Sequence, residues 1–463
     1  MRRLLPATLA VVAVGCGVAA AWPAPAPSAP AARARPTVPV LDARRLPRFL
    51  SGLVAQVRLT AGLDAALDDP ALGPARSQAC LVVQGPVGAD LYSRQATMPL
   101  LPASNLKLLT ATAALARLGA GDRFRTEVRA QRPPTNGVLA GDVWLVGGGD
   151  PLLAVADFAA QGGYEHQPRL ASPLEALADR LVAAGVHQIQ GRLIGDESRY
   201  DAQRAVPTWK PSYVSDFEIG PLSALTVDDG FAQWRPQPVR APSPALNAVN
   251  TLAQLLQARG VTVAGAGEGK VPAGTAVVTS VESPTLGDVV GDMLRQSDNL
   301  TAELLTKELG FRFGGAGTTA AGLAVTRASL QSLGLPLAGM AAADGSGLDR
   351  SDRATCGLLL TALTRAGPGG PIGAGLPLAG RDGTLWKRFG GTAVAGRLRA
   401  KTGSLEGVAG FSGWATGKGG ETLTFSLLVN GLPREAVGRA LEDRVAAALV
   451  AYPQAPDPAT LAP

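Results

Sequence analysis

Between residues 48 and 67 the apolar positions fall at Phe49, Leu53, Val57, Leu63 and Leu67, a spacing that predicts an amphipathic helix. The period then shortens. Cys80-Leu81-Val82-Val83-Gln84 and the pair Leu91-Tyr92 flank Gly85-Pro86, which predicts a hairpin. The clearest helix runs over 102–119, with Pro at its start, Ala and Leu inside and Gly119 as its stop. From Phe124 the pattern turns to short strands at 126–129 and 141–146, the latter running into Gly147-Gly148-Gly149-Asp150-Pro151. A helix at 173–184, a strand at 191–195 and a helix at 247–260 follow, and 286–310 reads as one long helical stretch. Three strands at 397–402, 408–416 and 421–430, with Gly turns between them, precede a closing amphipathic helix at 434–452. No repeat with a 20–50-residue period is present.

Strand-and-helix material at the two ends is thus separated by a middle of different texture, the pattern expected of one domain inserted into another. We divide the chain into a leader and tether (1–45), a discontinuous domain (46–124 with 282–455) and an insert (125–281). The length of 463 residues and the 46% hydrophobic content give ample material for these cores and exclude wholesale disorder.

Met1-Arg2-Arg3 followed by an apolar run from Leu4 to Ala21 reads as a secretory signal peptide, with Ala19-Ala20-Ala21 as small residues for cleavage. An uncleaved anchor is the alternative, because the run approaches the roughly 18–20 residues that span a bilayer. Lipidation at Cys16 is a third reading. Residues 22–39 form a Pro/Ala-rich tether. The expected location is extracytoplasmic, free or tethered to the membrane. Cys80 and Cys356 then face an oxidising space, as a disulfide or as two buried thiols. The net charge of +6 contains no Lys/Arg block, which argues against nucleic acid as a partner. With only two His, at 166 and 187, His-based triads and His-rich metal sites have little to draw on.

Three motifs carry chemistry. Ser104-Asn105-Leu106-Lys107 sits at the first turn of the 102–119 helix, where i to i+3 spacing puts both side chains on one face. A Ser hydroxyl needs a base within about 3 Å, and a Lys amine made neutral by burial can serve. Alone, this pair also fits an ordinary surface Ser and Lys. Lys401-Thr402-Gly403 ends a predicted strand and offers a cation, a hydroxyl and a Gly that lets a substrate lie against the strand edge. Ser297-Asp298-Asn299 could relay a proton and hold a Lys amine, or be polar decoration inside a helix.

In the order Ser-x-x-Lys, Ser-x-Asn, Lys-Thr-Gly, the three resemble the signature of penicillin-recognising serine enzymes. Leu145 to Pro151, Asp344-Gly345-Ser346-Gly347-Leu348-Asp349-Arg350, Leu378 to Leu385 and Ala400 to Leu405 extend the resemblance to the D-alanyl-D-alanine carboxypeptidase/endopeptidases, the class C low-molecular-mass penicillin-binding proteins. It runs from about residue 46 to the C-terminus.

The resemblance implies an α/β (α+β) transpeptidase fold shared with β-lactamases: an antiparallel sheet flanked by helices, an all-helical part and an inserted β-rich domain. It implies that Ser104 attacks the bond between two D-Ala residues of a peptidoglycan stem peptide and that Lys107 takes its proton. Ser297 and Asn299 would complete the relay and hold the substrate, Lys401 and Thr402 would bind the terminal carboxylate, and Gly403 and Ser404 would also contact the substrate. The backbone N–H groups of Ser104 and Ser404 would form the oxyanion hole. β-Lactams would acylate Ser104, and no metal or organic cofactor would enter. Asp196 and Arg350 occupy the places that hold the free end of a diaminopimelate side chain in relatives. Asp349 and Asp352 depart from the Ser and Asn usual in that loop, which puts loop contacts in doubt. The stretch 196–297 is shorter than usual, which predicts a reduced subdomain. The competing readings are a β-lactamase or esterase on the same fold, and a non-catalytic wall-binding or penicillin-sensing module.

Overall fold

The computed structural model describes residues 46–161 and 169–461, so the expected signal peptide and tether lie outside the described residues. Among the described residues no helix is long and apolar enough to cross a membrane. Helix α1 (Leu46–Leu67) leads to the hairpin β1 (Ala79–Gln84) and β2 (Asp90–Arg94), and a 3-10 turn over Ala103–Asn105 opens α2 (Leu106–Leu118). The chain then runs through β3 (Arg125–Ala130), β4 (Val143–Val146), α3 (Glu175–Ala183), β5 (Gln188–Asp196), α4 (Pro244–Gln257), β6 (Thr262–Glu268) and β7 (Ala276–Glu282). Helices α5 (Leu286–Gln296), α6 (Asn299–Phe313), α7 (Thr319–Ser332) and α8 (Cys356–Ala366) follow. Strands β8 (Leu398–Leu405), β9 (Val408–Thr416) and β10 (Thr422–Asn430) and helix α9 (Glu435–Ala451) close the fold.

Two sheets organise these elements. The first is antiparallel in the order β8-β9-β10-β1-β2, so strands from both chain ends are hydrogen-bonded together and β8 forms one edge. Strands β1, β9 and β10 are largely buried on both faces, with successive side chains pointing to opposite sides. Leu81, Val83, Phe425 and Leu427 pack with Leu63 and Leu67 of α1 and Leu441 and Val445 of α9. Cys80, Val82 and Leu428 face the other way, into Leu109 of α2, Val289 of α5, Leu305 of α6 and Leu359 of α8. On that second side Cys80 of β1 and Cys356 at the start of α8 form a disulfide with 6.0 Å between Cα atoms.

The second sheet draws its strands from residues 125–282. Its order is β6-β5-β4-β3-β7, with a short strand at Val138–Leu139 pairing β5. Helices α3 and α4 cover one face, where Leu177, Leu181, Val249 and Leu252 meet Val128, Val143, Leu145 and Leu193. Where the sequence runs quickly from Asp229 toward α4, the chain makes a minimal hairpin, Phe231–Gln233 against Val239–Arg240.

One expected element is corrected. The helical stretch 286–310 is two helices, because Ser297 adopts left-handed φ/ψ (61°, 33°) as the C-cap of α5 and Asp298 caps α6. The Asp298 carboxylate accepts from the Leu300 and Thr301 N–H groups, the signature of a helix start. The chemistry-bearing tripeptide is therefore a junction and not helix decoration.

Candidate active site

The 3-10 turn places Ser104 half-buried at the head of α2 and Lys107 fully buried inside its first turn. Ala103, just before the Ser, holds φ 47°, a strained value for a residue with a Cβ. Gly347 supports that turn from the neighbouring loop: at its φ of 87° a Cβ would lie 2.0 Å from the Ala103 carbonyl oxygen. The i to i+3 geometry is as the sequence predicts. Lys107 Nζ donates to Ser104 Oγ at 2.9 Å, to Asn299 Oδ1 at 2.7 Å and to the Ser346 carbonyl at 2.7 Å. All three partners are neutral oxygens. Burial pushes the amine down to about 8, although the charges of Asp344, Asp298 and Glu303 pull the other way.

Asn299 reaches Lys107 from the first residue of α6. Its Nδ2 donates to the Glu218 carbonyl at 2.8 Å, which leaves Oδ1 facing Lys107. An insert residue thus sets the orientation of this amide. Ser297, two residues earlier, faces the other lysine: Lys401 Nζ donates to Ser297 Oγ at 2.8 Å and to the Thr402 carbonyl at 2.6 Å. Lys401 is fully buried on β8, and burial followed by repulsion from Lys107 drives its amine well below the ordinary lysine value.

β8 is a sheet edge, so its outer rim offers backbone hydrogen-bonding groups to the cleft. Thr402 Oγ1 is 2.8 Å from Thr384 Oγ1, a partner contributed by the Arg381-Asp382-Gly383-Thr384-Leu385 segment. A Cβ on Gly403 would meet Asn105 Nδ2 at 2.8 Å and Ser104 N at 3.0 Å, so the glycine admits the turn that carries Ser104. Gly410 on β9 makes the same allowance, with a would-be Cβ 2.4 Å from Asn105 Nδ2.

The loop 344–350 completes the wall behind Lys107. Asp344 accepts from the N–H groups of Ser346, Gly347 and Asp349 and from Trp209 Nε1, and Glu303 accepts from Gly345 and Ser346 N–H. Glu303 is pushed up to about 8 and Asp352 to about 10, in each case by burial first and then by the charge of Asp344. Both carboxyls are thus held above the ordinary carboxylate range, and Glu303 receives the N–H groups of the loop that presents the Ser346 carbonyl. The two departures in this loop find local partners. Asp349 accepts from Thr208 Oγ1 and from the N–H and hydroxyl of Ser351, and Asp352 accepts from Ala343 N–H.

Two adjoining cavities, of about 560 and 420 Å³, open onto this constellation and share Ser297, Asn299, Thr402 and Ser404 in their walls. Ser104 lines the smaller one. Arg350 lies beyond the end of β8: it donates to the Glu406 carbonyl at 3.1 Å and lines an outer cavity with Ser404. The structure does not pair it with Asp196. That carboxylate, at the end of β5, is buried and accepts from the N–H groups of Ser198 and Val271, so it ties the insert's own loops together.

Sequence reasoning missed Arg169, Glu218, Glu303 and Trp209. Glu303 on α6 and the Trp209-Lys210-Pro211 turn carried no spacing signal, and Arg169 and Glu218 act from the insert across a fold boundary.

Comparison with known proteins gives the family. The sequence matches the D-Ala-D-Ala carboxypeptidase 3 (S13) family over residues 59–242 and 232–452. It is 33% identical to the D-alanyl-D-alanine carboxypeptidase of Actinomadura sp. (strain R39), over 86% of each chain. It is 32% identical to carboxypeptidase DacB of Mycolicibacterium smegmatis, covering 84% of this chain and 83% of the other. The structure resembles penicillin binding protein 4 (dacB) from Haemophilus influenzae with a TM-score of 0.67 at 20% identity, covering 79% of this chain and 95% of that one. The same protein complexed with a β-lactam gives 0.63, at 20% identity over 81% and 96% of the two chains. The chain belongs to the D-Ala-D-Ala carboxypeptidase 3 (S13) family and is a serine-type peptidase.

Proposed function

We propose that the protein is an exported D,D-carboxypeptidase that cleaves peptidoglycan stem peptides through an acyl-serine at Ser104. One observation carries this reading: a buried lysine amine, lowered to about 8, touches the Ser104 hydroxyl and has only neutral oxygens as hydrogen-bond partners. Neutral Lys107 takes the Ser104 proton as Oγ bonds to the penultimate D-Ala carbonyl carbon. The developing oxyanion would rest on the N–H groups of Ser104 and Ser404. As the C–N bond breaks, the proton passes through Lys107 and the Ser297 hydroxyl to the departing D-Ala nitrogen. Lys401 and Thr402 would hold the departing carboxylate through their amine and hydroxyl donors. Water, deprotonated by the same amine, then hydrolyses the ester and restores Ser104. β-Lactams would enter the same path and stop at the acyl stage, in line with the β-lactam complex of the Haemophilus relative.

Endopeptidase action uses the same acyl-enzyme. Room for a cross-linked leaving group supports it: besides Thr402, the larger cavity is lined by Phe217, Phe231, Trp234, Lys387 and Arg439. Arg350 at the rim suits the carboxylate of a side-chain end. The Cys80–Cys356 disulfide supports the exported location.

The test is release of D-Ala from a synthetic peptide ending in D-Ala-D-Ala. Wild type should turn over and Ser104→Ala should fall to background. Turnover that survives in Ser104→Ala would overturn the assignment.

A further inference from the structure

Arg169 is the most heavily paired charge of the described residues, and it belongs to the insert. It is 7% exposed, and its guanidinium meets three carboxylates: Asp229 of the insert, Asp292 of α5 at 3.2 Å and Asp298 at 2.7 Å. Asp298 lies between the two residues that touch the lysines, Ser297 on Lys401 and Asn299 on Lys107. The same Oδ2 that receives Arg169 also accepts from Thr301 N–H and Thr301 Oγ1, so the start of α6 and the guanidinium share one oxygen.

At the α5–α6 junction the N–H groups of Ser297 and Asp298 both donate to the Met293 carbonyl, and Arg169 adds an ionic tie to Asp298 from the insert. Ser297 is in a left-handed conformation that a serine does not favour and that must be imposed from outside. A planar five-donor guanidinium, which keeps its charge when buried, suits this task better than a lysine. We propose that Arg169 is a positioning residue, through which the insert locks the Ser297-Asp298-Asn299 junction in the geometry that lets Ser297 and Asn299 reach Lys401 and Lys107. The insert is thereby part of the catalytic apparatus.

A second clamp between insert and α6 supplies the control. Arg199 pairs with Glu308 through two bonds of 2.8 and 2.7 Å, joined by Tyr200 Oη at 3.0 Å. It holds α6 nine residues beyond Asn299, about 13 Å along the helix. If Arg169 only fastened the insert to the body, loss of either clamp would have the same consequences.

This inference rests on the acyl-serine reading, and the experiment separates the two. The rate constant for acylation by a fluorescent penicillin and the melting temperature are measured on wild type, Arg169→Met, Arg169→Lys, Asp292→Asn and Arg199→Met. Arg169→Met should acylate about 10- to 100-fold more slowly, the penalty of an ångström-scale misplacement. Arg169→Lys should recover part of that loss, because a point charge holds Asp298 but not all three carboxylates. Asp292→Asn should slow acylation about threefold, since two ionic partners remain. Arg199→Met should lose several degrees of melting temperature with an acylation rate unchanged within twofold. Wild-type-like acylation in Arg169→Met, or a loss matched by Arg199→Met, would overturn the proposal. If Arg169→Met does not fold, wild-type rates in both Arg169→Lys and Asp292→Asn would overturn it equally. Failure of wild type itself to be acylated would instead strike the acyl-serine reading.

Discussion

Two buried cationic centres flank the same tripeptide, and they are built on opposite principles. On one side Lys107 and Lys401 are fully buried and hydrogen-bonded to hydroxyl, amide and carbonyl oxygens, with no carboxylate among those partners. On the other side Arg169 is surrounded by carboxylates. Burial without a counter-ion disfavours the charged form, so the lysines are driven toward the neutral amine that can accept a proton. Burial of a guanidinium leaves it charged, so it must be paired, and it becomes a fixed post. Comparable burial therefore suits a base in one place and a brace in the other. Ion type and the charge of the partners decide which.

Exchanging the ions breaks this comparison most severely. Lys107→Arg keeps the positive charge but cannot shed its proton, so acylation should fall by about 10²–10⁴-fold, as far as in Lys107→Met. A Lys107→Arg enzyme that acylates at near wild-type rate would mean that the charge of this residue, and not its basicity, is what catalysis uses. The reverse exchange, Arg169→Lys, is the milder change described above.

The pH dependence sharpens it next. The reactive form holds Lys107 neutral, and its amine lies near 8. Acylation should rise about tenfold per pH unit below that value and level off above it. Protonating the amine removes the base, so the slope must be positive with rising pH. A second-order rate constant flat from pH 5 to 9 would show that another group accepts the proton.

Gly403→Ala probes how closely the two sides are packed. Its Cβ would press on Asn105 Nδ2 and the Ser104 backbone nitrogen at 2.8 and 3.0 Å and displace the nucleophile turn from β8. Acylation should slow by about tenfold, with only a small change in melting temperature. An unchanged rate would return the glycine to the substrate-facing role suggested by its sequence position.

Much of the site was legible in the chain because its parts are local. The i to i+3 step from Ser104 to Lys107 needs only a helix, and the Lys401-Thr402-Gly403 run needs only a strand. The alternation of Leu81 and Val83 against Cys80 and Val82 displays the two faces of β1 directly. What stayed hidden depends on residues far apart in sequence. The α5–α6 break at Ser297 is encoded by Asp298 as an N-cap, a signal masked by the apolar residues on both sides. Helices α7 and α8 have no apolar spacing that stands out in the sequence, although Thr318 and Thr355 cap them as Asp298 caps α6. The fixing of Asn299 by the Glu218 carbonyl spans 81 residues and that of Asp298 by Arg169 spans 129, and neither leaves a local pattern. The carboxylate of Asp196 likewise accepts from the N–H groups of Ser198 and Val271, contacts that its place in the sequence does not announce.

The central claim is that Ser104 becomes covalently acylated. The most direct measurement is intact mass after incubation with benzylpenicillin, on the mature wild type and on Ser104→Ala. The account predicts a stable one-to-one adduct on wild type and none on the variant. An adduct that persists in Ser104→Ala, or a wild type that neither traps nor hydrolyses the drug, would contradict it.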